Sequence, residues 1–132
     1  MAIKKTLIVE NEPKLLTLYS RYLSSENYMV TACSDAADAV ERIRSESFDL
    51  LITDYNPGKR NGAELIWLIK AVNPRGKALM ITVSEKLAGT RSPGQAYADA
   101  DTLIKPFNLD KLLNSVSDLL TSPSIAVFGE HL

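Results

Sequence analysis

A chain of 132 residues, 45% hydrophobic and 23% charged, has the size and balance of one globular domain with a single core. Its formal net charge of −1 offers no general attraction for nucleic acid or anionic lipid, which takes a clustered excess of Lys and Arg. Cys33 is the only cysteine, so no internal disulfide is possible. The only histidine, His131, is the penultimate residue, which leaves Ser/His/Asp or Cys/His catalysis without a base in the folded body.

No segment is long and apolar enough to span a bilayer. The opening MAIKKTLIVE turns acidic too soon to read as a secretory signal. The expectation is a cytoplasmic protein that binds neither membrane nor nucleic acid directly.

Short apolar runs alternate with stretches of helical period, the pattern of a parallel sheet joined by crossover helices. The sequence predicts strands over residues 6–10, 29–33, 50–53, 78–82 and 102–104. The first helix begins at Pro13 and should bury Leu15, Leu18, Tyr19 and Tyr22. Ser34 and Asp35 are cap residues for the second, whose inner stripe is Ala37, Val40 and Ile43. The third carries Leu65, Leu68, Ile69 and Val72 and stops at Asn73, before Pro74. Gly89, Pro93 and Gly94 interrupt the next stretch, leaving a short helix over about 93–98. The last helix starts from an Asn108 cap and should bury Leu109, Leu112, Leu113, Val116 and Leu120. The domain is expected to cover residues 1–121, with 122–132 a tail or truncated linker.

In an open parallel sheet, ligands bind beyond the carboxyl ends of the strands. The expected strands end in Glu10, Asn11 and Glu12; in Asp54; in Thr82; and in Lys105. A flavodoxin-like doubly wound sheet of order 2-1-3-4-5 would bring those ends to one rim. Hard oxygen donors suit Mg²⁺, a carboxylate can act as nucleophile, and a hydroxyl and an ammonium can hold phosphoryl oxygens. Taken singly, each residue has a blander use: Asp54 as a turn former, Thr82 as a β-branched strand residue, Lys105 as a solvated charge. The joint pattern lifts them above it.

From TLIVENEP through DLLITDYNPGKRNG and ALMITVS to DTLIKPF, the chain resembles the receiver domains of two-component response regulators over nearly its whole length. The resemblance implies that Asp54 is the phosphoacceptor, that Thr82 and Lys105 hold the phosphoryl group, and that a cis peptide joins Lys105 and Pro106. It also implies a metal site of Glu10, Asn11, Asp54 and the main-chain carbonyl of Asn56, filled by Mg²⁺ with Mn²⁺ as a substitute. The phosphoryl donor would be a sensor histidine kinase or a histidine phosphotransfer protein. The chain would then be a switch rather than an enzyme, with only weak autophosphorylation and autodephosphorylation.

Four positions depart from the family pattern. Asn11 stands where the second of two adjacent acids is usual, so Mg²⁺ should bind more weakly. Pro57 comes one position early in DYNPGKRNG, Val83 follows Thr82 where Ala or Gly is favoured, and Thr102 replaces a common aromatic switch residue. These departures motivate an alternative, an atypical receiver that works as a protein-interaction module without phosphorylation. A haloacid-dehalogenase-type phosphatase would need two Asp residues where Glu10 and Asn11 stand. A flavin binder would want main-chain amides and small hydroxyl residues where VENEP lies. No output domain is recognisable, and the cognate kinase and pathway are not encoded in any motif.

Overall fold

The computed structural model of the protein describes residues 3–55, 62–83 and 100–121. Five strands form one parallel sheet in the order β2-β1-β3-β4-β5: β1 Lys5–Val9, β2 Met29–Cys33, β3 Leu50–Asp54, β4 Lys77–Thr82 and β5 Ala100–Ile104. The helices among the described residues are α1 Pro13–Ser25, α2 Ala36–Ser45, α3 Gly62–Val72 and α4 Leu109–Thr121. The fold class expected from the sequence is the one observed. The short helix expected over 93–98 and the tail 122–132 lie outside the described residues.

Side-chain alternation along the central strands sorts the apolar residues into two cores, one on each face. Leu7, Val9, Leu51, Ala78 and Met80 pack with Val40 and Ile43 of α2 and Leu65, Ile66 and Ile69 of α3. Their neighbours Ile8, Leu50, Ile52, Leu79 and Ile81 pack with Tyr19 and Leu23 of α1 and Leu112, Val116 and Leu119 of α4. Because β1, β3 and β4 are buried on both faces, they read as continuous apolar runs.

Helix starts follow local chemistry. Asp35 accepts a hydrogen bond from the Asp38 amide at 2.8 Å, and Asn108 Oδ1 accepts one from the Lys111 amide at 2.8 Å. Glu12 is the cap of α1, its Oε1 accepting from the Lys14 amide at 2.8 Å ahead of Pro13. At the other end of α1, Asn27 adopts φ 70°, a left-handed turn that Asn tolerates.

Several expected core positions are corrected. Leu18, Ala37 and Val72 face outward, while Leu23, Ala36, Ala39, Ile66 and Leu119 are buried. The buried rows of α1 and α2 are shifted by a fraction of a turn from the expected ones, because docking on a twisted sheet selects among adjacent apolar rows, whereas α3 and α4 bury most of their expected face. Strand ends moved by one or two residues: β1 stops at Val9, leaving Glu10 just beyond it, and β3 includes Asp54.

Cys33 closes β2 with 1% exposure. Burial, then a hydrogen bond and the charge of Asp38, push its thiol up to about 12, so the nucleophilic thiolate is scarce near neutrality. A disulfide reagent at pH 8 should therefore label Cys33 only as fast as the domain opens, and rapidly in denaturant. Fast stoichiometric labelling of the native protein would contradict this placement.

Candidate functional site at the carboxyl rim of the sheet

The register of the central strands brings the site residues together. In the parallel β1–β3 pair Val9 lies opposite Thr53, so Glu10 and Asp54 are the next residues on adjacent strands. Asp54 lies opposite Ile81, which puts Thr82 one residue further along β4, and Thr82 in turn lies opposite Ile104. The Lys105 amide donates to the Thr82 carbonyl at 2.7 Å, and this bond delivers Lys105 to the same rim.

Lys105 Nζ sits between the two acids, 3.4 Å from Glu10 Oε1 and 3.6 Å from Asp54 Oδ1. The Glu10 side chain is almost fully buried at 2% exposure, whereas Asp54 keeps 19% and Lys105 21%. The other Glu10 oxygen accepts from the Glu12 amide at 3.0 Å. Burial raises the Glu10 carboxyl above its ordinary value of 4.5, and the neighbouring charge of Asp54 adds to it. The Glu12 amide and Lys105 offset the rise in part. The mutual repulsion expected of crowded acids is thus present, moderated by an ammonium group rather than left bare.

The Asp54 strand end is shaped by close packing. The Tyr55 amide donates to the Ile81 carbonyl at 2.8 Å, and the Gly62 amide donates to the Tyr55 carbonyl at 2.6 Å. A Cβ at Gly62 would collide with the Asp54 carbonyl oxygen and lie 3.2 Å from that of Tyr55. Gly62 is therefore required by close approach of α3 to the strand end. Thr53 Oγ1 donates to the Asp54 carbonyl at 2.9 Å.

Of the residues singled out in the sequence, Glu10, Asp54, Thr82 and Lys105 share this rim, and the Lys105–Pro106 peptide is cis. Asn11 follows Glu10 in an exposed bend, while Asn56 lies outside the described residues. Val83 is exposed at the end of β4, and Thr102 is half-buried opposite Met80. Two aromatic residues were not assigned to the site from sequence. Tyr19 of α1 stacks on Phe107 with ring centroids 5.7 Å apart. Burial, and then the charges of Glu10 and Asp54, push the Tyr19 phenol up to about 12. Nothing in the apolar spacing of α1 distinguishes Tyr19 from an ordinary core residue.

Two carboxylates on one rim fit a hard divalent cation. Among the described residues no group of three or more His, Cys, Asp or Glu converges. A cation here would complete its shell from neutral oxygens such as the Asn11 amide, a main-chain carbonyl or water, which suits Mg²⁺.

Two substitutions test this geometry. A raised carboxyl means the folded state holds its proton more tightly than the unfolded chain. The charged Glu10 therefore lowers stability as pH rises through the interval above 4.5. Glu10→Gln should accordingly stabilise the metal-free protein near neutral pH, with the gain shrinking toward pH 4 in urea melts. A pH-independent effect would count against the burial argument. Gly62→Ala should cost about 1–3 kcal/mol, the range for forced overpacking. An unchanged denaturation midpoint would show that α3 can move away freely.

Comparison with known proteins agrees with this arrangement. Residues 6–117 match the family described as the response regulator receiver domain. The response regulator receiver protein CpdR of Brucella abortus is 30% identical over 118 residues, spanning 89% of this chain and 98% of that protein. The transcriptional regulatory protein ZraR of Klebsiella oxytoca is 28% identical, but this chain spans only 26% of it. Among solved structures, the response regulator TrrA of Thermotoga maritima, in complex with Mg²⁺-BeF, is 27% identical with a TM-score of 0.75. The match covers 89% of this chain and 100% of that one. A CheY-like receiver domain protein from Methanospirillum hungatei is also 27% identical with a TM-score of 0.75, covering 90% and 94%. With the strand order, the acid pair and the bridging lysine already in place, these matches show that the chain belongs to the receiver domain family of two-component response regulators.

Proposed function

We propose that this receiver domain is a phosphorylation switch whose acceptor is Asp54. The observation that carries this reading is the position of Lys105 Nζ between Glu10 and Asp54, with Asp54 the more exposed of the two acids. Exposure leaves the Asp54 carboxylate accessible to a donor, while the buried Glu10, hydrogen-bonded to the Glu12 amide, is held in a structural and electrostatic role.

In the proposed reaction, an Asp54 carboxylate oxygen attacks the phosphorus of a phosphohistidine on a sensor histidine kinase or a histidine phosphotransfer protein. The N–P bond breaks, an acyl phosphate forms, and the imidazole leaves with a proton from solvent. Phosphoryl transfer relies mainly on positioning and charge neutralisation, so few groups are needed. Lys105 meets the negative charge on the transferred oxygens, and Thr82, at the end of the adjoining strand, offers a hydroxyl to the same group. Mg²⁺, or Mn²⁺ in its place, would be held by Glu10, Asp54, Asn11 and the Asn56 carbonyl, and would neutralise phosphoryl charge. Water later hydrolyses the acyl phosphate and resets the switch. The domain is thus a signalling component rather than an enzyme acting on a separate substrate. Its proposed setting is the cytoplasm, and among its described residues no helix is long and apolar enough to cross a membrane.

The direct test is incubation with Mg²⁺ and acetyl phosphate, followed by intact mass. A gain of one phosphoryl group that requires both Mg²⁺ and Asp54 is expected, and Asp54→Ala should abolish it. Absence of any gain in folded protein at high Mg²⁺ would overturn the switch in favour of an interaction module that works without phosphorylation.

Asn11→Asp should tighten Mg²⁺ binding by roughly tenfold, since an added carboxylate gives the cation another charged ligand. Calorimetric titration with Mg²⁺ checks this, and equal affinity in both proteins would remove Asn11 from the metal site.

A further inference from the structure

Lys105 bridges the two acids, yet a lysine has a long flexible stem whose ordering is costly in entropy. Its main chain is anchored to the sheet by the hydrogen bond from the Lys105 amide to the Thr82 carbonyl. Beyond it, the chain runs through Pro106 and Phe107 to the Asn108 cap of α4. Between those two anchors, Phe107 stacks on Tyr19, with an interplanar angle of 23°. Tyr19 belongs to α1, is 4% exposed, and lies in the core between α1, α4 and the sheet. A second link joins the same helices, a hydrogen bond from the Tyr22 hydroxyl to Asp110 Oδ1 at 3.3 Å.

We infer that Tyr19 is a positioning residue for phosphoryl transfer: its ring, stacked on Phe107, holds the segment 105–108 so that Lys105 Nζ stays between Glu10 and Asp54. The inference rests on the proposed switch and names a residue that serves it from behind the site. A planar ring stacked on Phe107 fixes the orientation of that segment in a way an aliphatic side chain would not. The ring carries the role, and the hydroxyl is dispensable.

The test has two arms. In the first, phosphorylation by acetyl phosphate at saturating Mg²⁺ is timed for the wild type, Tyr19→Phe, Tyr19→Leu, Lys105→Ala and the Tyr19→Leu, Lys105→Ala double variant. Tyr19→Leu should slow the reaction roughly tenfold, because small misplacements of a reacting constellation are costly. Tyr19→Phe should restore the wild-type rate, and Tyr19→Leu should add no further loss once Lys105 is removed. An equal loss with and without Lys105, or no loss at all, overturns the inference. In the second arm, the Lys105 ε-methylene resonances are followed by NMR without any donor. Distinct shifts in the wild type and Tyr19→Phe should collapse toward free-lysine values in Tyr19→Leu. Unchanged shifts in folded Tyr19→Leu also overturn it. If the wild type takes no phosphoryl group, the proposed switch fails, and this second arm still decides whether Tyr19 positions Lys105.

Discussion

The burial of one carboxylate beside another is the constraint on which the rest of this structure depends. Glu10 lies beyond the end of β1 with almost no exposure, one strand from Asp54, in a place where either charge alone would be costly. The arrangement persists because Lys105 arrives from the far edge strand to stand between them, and because a main-chain amide from the helix entry is aimed at the second Glu10 oxygen. Three strands and the start of α1 are thereby committed to one small volume. The apolar cores on the two faces supply the stability that tolerates it.

This constraint also organises the surroundings. Gly62 is small because the N-terminus of α3 approaches the Asp54 carbonyl closely. Glu12 caps α1 with its side chain and serves Glu10 with its main chain, so the helix entry and the site share one residue. The Tyr19–Phe107 stack joins α1 to the segment that carries Lys105, which ties the position of the cation to the packing of the α1/α4 layer. A receiver built in this way couples its site to both faces of the sheet.

Among the described residues, Asn11, Val83 and Thr102 depart from the family pattern, while Asp54, Thr82 and Lys105 keep it. Asn11 sets a neutral amide in an exposed bend beside Glu10, where the family usually has a second acid. Val83 points away into solvent, with 73% exposure, so its branched side chain is not part of the buried site. Thr102 is half-buried at the middle of β5, two residues before the strand end, and therefore distant in register from the reacting groups. The trio thus shares one rim of the sheet, and the residues just after β1 carry one acid fewer than the family usually places there.

The sequence by itself determined the alternation of strands and helices and the polar residues that stand where the strands stop. Each depends on local signals: apolar runs of strand length, cap residues such as Asp35 and Asn108, and polar residues placed where those runs stop. Only the tertiary structure decided which apolar row of each helix is buried. Leu18 and Leu23 are equally hydrophobic on paper, and the choice between them is made by docking against a twisted sheet. The same holds for the ammonium between the acids, the close approach at Gly62 and the stack of Tyr19 on Phe107. These are contacts between residues far apart in the chain, and no periodicity within one element encodes a contact with another.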